Sequence, residues 1–258
     1  SLSVRSGLNM TSGTIIKTAT TDSSGNYSLS SMSAGWYTVE TSKSGYITGY
    51  FNVFACGNQE NQDASISTSI DSGTMRIVLH WDNLATNVVK ILDSHLTGPD
   101  NIALDNSTGR FHVYWNSVSG QDVFYYATNN FSCSGCTVSQ KSDNVTLDQD
   151  DYNGDRGTET MTIQPDSWRS GTYRYSAHYF GSDSDGWSSG YASSTKFAES
   201  ETTVTVYFGD TEPRTYNVPN SAGTLWTVFT IDGSSNVVTT VNSMSAVAGT
   251  DAGSASVE

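Results

Sequence analysis

Asp148, Asp150, Asp151, Asn153 and Asp155 crowd four carboxylates and an amide into eight positions around Gly154. Hard oxygen donors at alternating spacing in a flexible loop are what Ca²⁺ takes. The segment does not match the EF-hand pattern, and no glutamate is counted among its ligands. It reads either as a calcium-stabilised loop or as a solvated acidic turn, and the spacing alone leaves both open. Asp93 joins the candidate ligands from a separate stretch, Leu-Asp-Ser-His-Leu at 92–96.

His80, His95, His112 and His178 are the only imidazoles. On strands they serve either as hydrogen-bonded core groups or as a convergent Zn²⁺ or Cu²⁺ site. Asp93 with His95 and His112 also has the makings of acid–base chemistry. No serine sits in a Gly-x-Ser-x-Gly elbow that would complete a nucleophilic triad, so a non-enzymatic chain is expected. Cys133 and Cys136 enclose Ser-Gly in a polar stretch with no helix signal. This context favours a tight loop disulfide over a redox pair, and Cys56 stands apart. Trp36, Trp81, Trp115 and Trp226 fall on expected strands and are read as core. Trp168 and Trp187 flank loops, where they either pack beneath them or stack on sugar rings.

The elements that must position these groups are strands. Period-2 alternation dominates and helical periodicity is nearly absent. Strands are expected at 27–29, 36–41, 75–81, 88–92, 111–115, 123–126, 160–163, 173–179, 203–208, 215–218, 225–231 and 237–241. Ser-Gly, Gly-Pro-Asp and Asp-Gly turns separate them. The fold class is therefore all-β, as two tandem β-sandwich domains over 1–70 and 71–242 with an extended tail at 243–258. Of 258 residues, 36% are hydrophobic and 15% charged, enough apolar material for a core beneath a surface of Ser, Thr, Asn and Gly. The net charge of −14, from 26 acids against 12 bases, disfavours nucleic acid and anionic lipid as partners. No apolar run reaches the roughly 20 residues that span a bilayer, so membrane insertion is not expected.

Residues 21–46, Thr-Asp-Ser-Ser-Gly-Asn-Tyr-Ser-Leu through Ala34-Gly35-Trp36-Tyr37-Thr38-Val39 to Gly45-Tyr46, resemble the carboxypeptidase-regulatory-like (transthyretin-like) β-sandwich family. The resemblance implies inward-facing Tyr27, Leu29, Tyr37 and Val39, no catalytic role, and use as a spacer, stalk or assembly unit. Against that pattern the opening strand is missing. Residues 75–241 are similar to a domain of unknown function in large bacterial surface proteins. The similarity rests on 92–99, Arg-Phe-His-Val-Tyr at 110–114, 147–151, 157–160 and 171–179. Ile91 and Thr158 depart from that pattern.

Together these readings give a secreted structural subunit of an extracellular filament or surface stalk. Its partners are copies of itself, joined by strand addition of 243–258 to the first domain of the next subunit. A carbohydrate-binding adhesive module acting on polysaccharide through Trp168 and Trp187 is the alternative.

Overall fold

A computed structural model describes residues 1–60, 62, 64, 66–82, 91–99, 110–114, 124–127, 145–151, 156–179, 193–209 and 211–247. The chain is all-β, with three antiparallel sheets. It divides into two compact units, 1–72 with 207–213 and 73–206 with 214–258. Among the described residues no helix is long and apolar enough to cross a membrane.

The first unit holds a four-stranded sheet of order β2-β1-β3-β4, made of β1 Leu2–Ser6, β2 Lys17–Ala19, β3 Gly35–Thr41 and β4 Gly49–Ala55. Val4 lies opposite Val39, and Tyr37 opposite Val53, so alternate residues of three strands meet on one face. Leu2, Val4, Tyr37, Val39 and Val53 are buried there, with Tyr27, Leu29 and Met32 packed against them. Tyr27 and Leu29 thus reach the core as expected, but 27–29 forms no strand. The segment is anchored by other means. The Asp22 carboxylate accepts from the N–H groups of Ser24 and Asn26, both at 2.9 Å, Gly25 takes φ +88°, and the Tyr27 hydroxyl donates to the Gln62 carbonyl. Alternation therefore marked burial here rather than ladder pairing.

Trp36, expected in the core, is 47% exposed. It neighbours the buried Tyr37 on β3 and so falls on the opposite face of the strand, against Phe54 across the β3–β4 ladder, with ring centroids 4.8 Å apart.

The second unit pairs a five-stranded sheet with a six-stranded one. The five-stranded order is β13-β12-β5-β10-β9, formed by β5 Met75–Asp82, β9 Val145–Gln149, β10 Arg156–Ile163, β12 Thr203–Phe208 and β13 Arg214–Asn217. The six-stranded order is β15-β14-β11-β6-β7-β8, formed by β6 Leu92–Pro99, β7 Arg110–Tyr114, β8 Phe124–Ala127, β11 Thr172–Tyr179, β14 Leu225–Asp232 and β15 Val237–Ser245. A single helical turn, α1 Lys196–Glu199, inserts Phe197 against Trp226. Met75, Ile77, Leu79 and Trp81 of β5 are fully buried, as are Leu92, Leu96, Tyr173, Tyr175 and Phe229 of the other sheet. Residues 243–245, expected to open a tail, instead complete β15 against β14. Val247 is buried with Leu225, and its N–H donates to the Thr224 hydroxyl at 3.0 Å.

Gly157 sits opposite Trp81 in the β10–β5 register. A Cβ built there would lie 2.0 Å from the indole. Gly157→Ala forces a fully buried tryptophan aside, and overpacking of this kind costs about 1–3 kcal/mol. Urea unfolding is expected to show that loss with the m-value unchanged, and an unshifted midpoint would contradict the packing.

Candidate metal centre

Of the acidic candidates at 148–155, Asp148, Asp150 and Asp151 are among the described residues. β9 carries an irregularity opposite Thr160 and Met161: Gln149 pairs with Thr160, while Leu147 pairs with Met161. Asp148 is the extra residue, a β-bulge. The insertion shifts the strand by one position, so the next residue, Asp150, comes opposite Glu159 rather than Thr158. Opposed residues share a face of an antiparallel ladder. On the facing sheet β6 brings Asp93, and carboxylate oxygens of Asp93, Asp150 and Glu159 all lie within 4.8 Å of one another. Such a cluster could hold a metal ion.

Asp93 is 4% exposed and Glu159 fully buried, with Asp150 half-buried. One oxygen of Glu159, Oε2, accepts from the Ser94 N–H at 2.6 Å. The other, Oε1, is buried with no hydrogen-bond donor. The Ser94 hydroxyl is within 2.8 Å of the Tyr175 hydroxyl, which fixes the strand position that presents this N–H. Burial, reinforced by the Asp150 charge, pushes Asp93 up to about 8. Burial and then the charges of Asp93 and Asp150 raise Glu159 well above the usual carboxylate range, while the Ser94 N–H acts in the opposite sense. Buried carboxylates without a counter-charge must take up protons or a cation.

The other described acidic candidates, Asp148 and Asp151, accept from neighbouring donors. The Asp148 carboxylate accepts from the hydroxyls of Thr146 and Thr162, and Asp151 accepts from the Thr158 N–H at 3.3 Å. Asn153, Asp155, Cys133, Cys136, Trp115 and Trp187 lie outside the described residues. Trp168 is half-buried, donates from Nε1 to the Gly73 carbonyl at 2.8 Å and packs edge-on against Tyr173. Cys56 is exposed and free.

Glu159 escaped the sequence reading although Gly-Thr-Glu-Thr was singled out there. It is the twelfth residue counted from Asp148, the position of the closing carboxylate in an EF-hand, but Gly154 comes seventh rather than sixth. The partial match was the available signal.

Three of the four histidines gather on the six-stranded sheet, while His80 lies on β5 of the other, its Nδ1 3.1 Å from the Thr158 hydroxyl. Thr97 of β6 pairs with His112 of β7, and Ser176 of β11 with His95, so His95, Thr97, His112, Ser176 and His178 line one face. All are at most 1% exposed. His95 Nδ1 lies 2.9 Å from His112 Nε2, an arrangement in which one nitrogen donates and the other accepts. Tyr114 stacks on His112 with centroids 4.4 Å apart, and His178 meets His95 edge-on. The His95 and His112 rings therefore engage each other rather than presenting nitrogens to a common point. Burial lowers His112 to about 3, and burial followed by the charges of His112 and His178 lowers His95 well below the usual imidazole value. The arrangement is a neutral polar layer.

No family model matches the sequence, and neither a curated protein nor a solved structure matches it.

Proposed function

We propose that the chain is a non-catalytic structural building block of an extracellular filament or surface stalk, joined head to tail to copies of itself by strand addition. The observation that supports this reading is β15. It closes the six-stranded sheet as a nine-residue edge, Val-Val-Thr-Thr-Val-Asn-Ser-Met-Ser, with no charge and no proline. Val237 is 57% exposed and Val241 40%. Sheet edges are normally blunted by charge, proline, brevity or a cover, because unpaired N–H and C=O groups template another chain. Among the described residues the one such device is the bulge at 241–242, where Asn242 takes φ +48° and accepts from the Trp226 indole N–H. It twists the far end and leaves 237–240 in regular register. Strand addition at an open edge uses such a surface, and a heterologous contact that does not close propagates into a fibre. The resemblance of 21–46 to stalk-forming modules agrees with an extracellular site.

Sedimentation velocity over a concentration series tests this. The wild-type chain is expected to self-associate, and Val237→Lys/Val241→Lys, which changes only exposed side chains, to remain a monomer. A wild-type monomer at every concentration, or association untouched by the lysines, overturns the proposal. Retention on polysaccharide without self-association would instead favour the adhesive reading, for which exposed Trp36 and Phe54 offer an aromatic surface.

A further inference from the structure

We infer that Asp93, Asp150 and Glu159 form a Ca²⁺ site that ties the two sheets of the second unit together. Such a site is independent of assembly through β15.

Three observations converge. The first is geometric: the three carboxylates come from β6, from β10 and from the residue after β9, and their oxygens lie within 4.8 Å of one another. Oxygens bound to one Ca²⁺ at about 2.4 Å stand up to roughly 4.8 Å apart, so the three carboxylates are close enough to share one ion. The second is the Glu159 Oε1 atom, buried with no hydrogen-bond donor on a carboxyl of this cluster. A buried acceptor is almost always satisfied, so an orphan oxygen in a set of three carboxyls marks the place of a cation. The third is charge. Among the described residues no basic side chain is paired with Asp93 or Glu159, so these residues give the ionised pair no compensation. The ligand type then selects the ion. An all-carboxylate set is hard, with neither imidazole nor thiolate, and excludes a preference for Zn²⁺ or Cu⁺. A triply charged set suits Ca²⁺, while Mg²⁺ usually keeps its waters and takes one or two carboxylates.

The site has a built frame. The bulge at Asp148 brings Asp150 to Glu159, and the Ser94 N–H holds Glu159 Oε2, with the Ser94 hydroxyl against Tyr175. Ca²⁺ would thus connect a strand of one sheet to two elements of the other. Of the expected set Asp148, Asp150, Asp151, Asn153, Asp155 and Asp93, the inferred site takes Asp93 and Asp150 and adds Glu159.

Isothermal titration with CaCl₂ of the full chain, freed of metal by EDTA and desalted, tests the assignment. One ion per chain is expected. Glu159→Gln keeps the shape and the Ser94 contact but removes a charge, and is expected to weaken Ca²⁺ at least tenfold. Glu199→Gln, an exposed acid on α1 outside the cluster and its frame, is expected to bind as the wild type does. In EDTA, Glu159→Gln is expected to melt no lower than the wild type, which separates a lost ligand from a lost fold. Absence of binding at millimolar CaCl₂, equal affinity in Glu159→Gln, or MgCl₂ binding as tightly as CaCl₂ overturns the inference.

Discussion

Freed of divalent ions, the chain is expected to lose stability as pH rises from about 5 to 8, and Ca²⁺ to restore most at the alkaline end. The sign follows from Asp93 and Glu159. Both are raised in the fold, Asp93 to about 8 from 3.8, chiefly by burial. Between those values the folded chain holds a proton that the unfolded chain has released. Stability from this source is therefore complete below the unfolded value and is lost as pH climbs through the folded one, at about 1.4 kcal/mol per pH unit for each such carboxyl. Bound Ca²⁺ replaces those protons, and its affinity increases with pH because its ligands must be ionised. At Ca²⁺ about 100-fold above its Kd the gain is about 2.7 kcal/mol, or roughly 5–10 °C in Tm for a unit of this size. At pH 5 the gain should shrink toward zero. Thermal melts at pH 5 and pH 8, each with EDTA and with CaCl₂, read this directly. Equal calcium effects at both pH values would contradict it.

The second large effect runs the other way. His112 is neutral in the fold, lowered to about 3 by burial. From about pH 6.5 down to 3 the unfolded chain binds a proton that the folded chain refuses, so stability falls with acid at about 1.4 kcal/mol per unit, to a total of about 5 kcal/mol. The groups around it, His95 and Tyr114, with His178 beyond His95, supply no carboxylate to stabilise an imidazolium. His95 is lowered as well and acts in the same direction. The buried carboxyls oppose this limb, so it is best measured in Asp93→Asn/Glu159→Gln. Urea unfolding between pH 7 and 4 should show a steep decline there, and adding His112→Gln should flatten the slope by about one proton. A slope unchanged by that substitution would place the titrating group elsewhere.

How much of this was legible in the sequence depended on what decided each feature. Alternation located β3, β5, β11, β12 and β14 because those strands bury an apolar set every second residue. It missed β6, where Asp93, Ser94, His95 and Thr97 are all buried between apolar neighbours and erase the pattern. It missed β9 because Asp148, Gln149 and Asp150 read as a loop, while the bulge that makes Asp148 an insertion depends on pairing with β10, far along the chain. Trp36 was read inward because a large aromatic on a strand is usually core, yet Tyr37 takes that face and the parity leaves Trp36 outside. For the metal centre, composition indicated oxygen ligands and an acidic segment. The choice among the acids was made by sheet-on-sheet packing, which brings Asp93 to Glu159 across 66 positions of sequence.

In the proposed assembly β15 is where one copy meets the next. Hydrogen–deuterium exchange of the Val237–Ser245 amides, followed as the full chain is concentrated, tests it most directly. The outward amides of 237–240 should exchange quickly in dilute protein and become protected as it assembles, while β14, already paired on both sides, stays protected throughout. Protection of the same amides should fail to develop in Val237→Lys/Val241→Lys. Assembly that leaves 237–240 exchanging as fast as in the monomer would contradict the account.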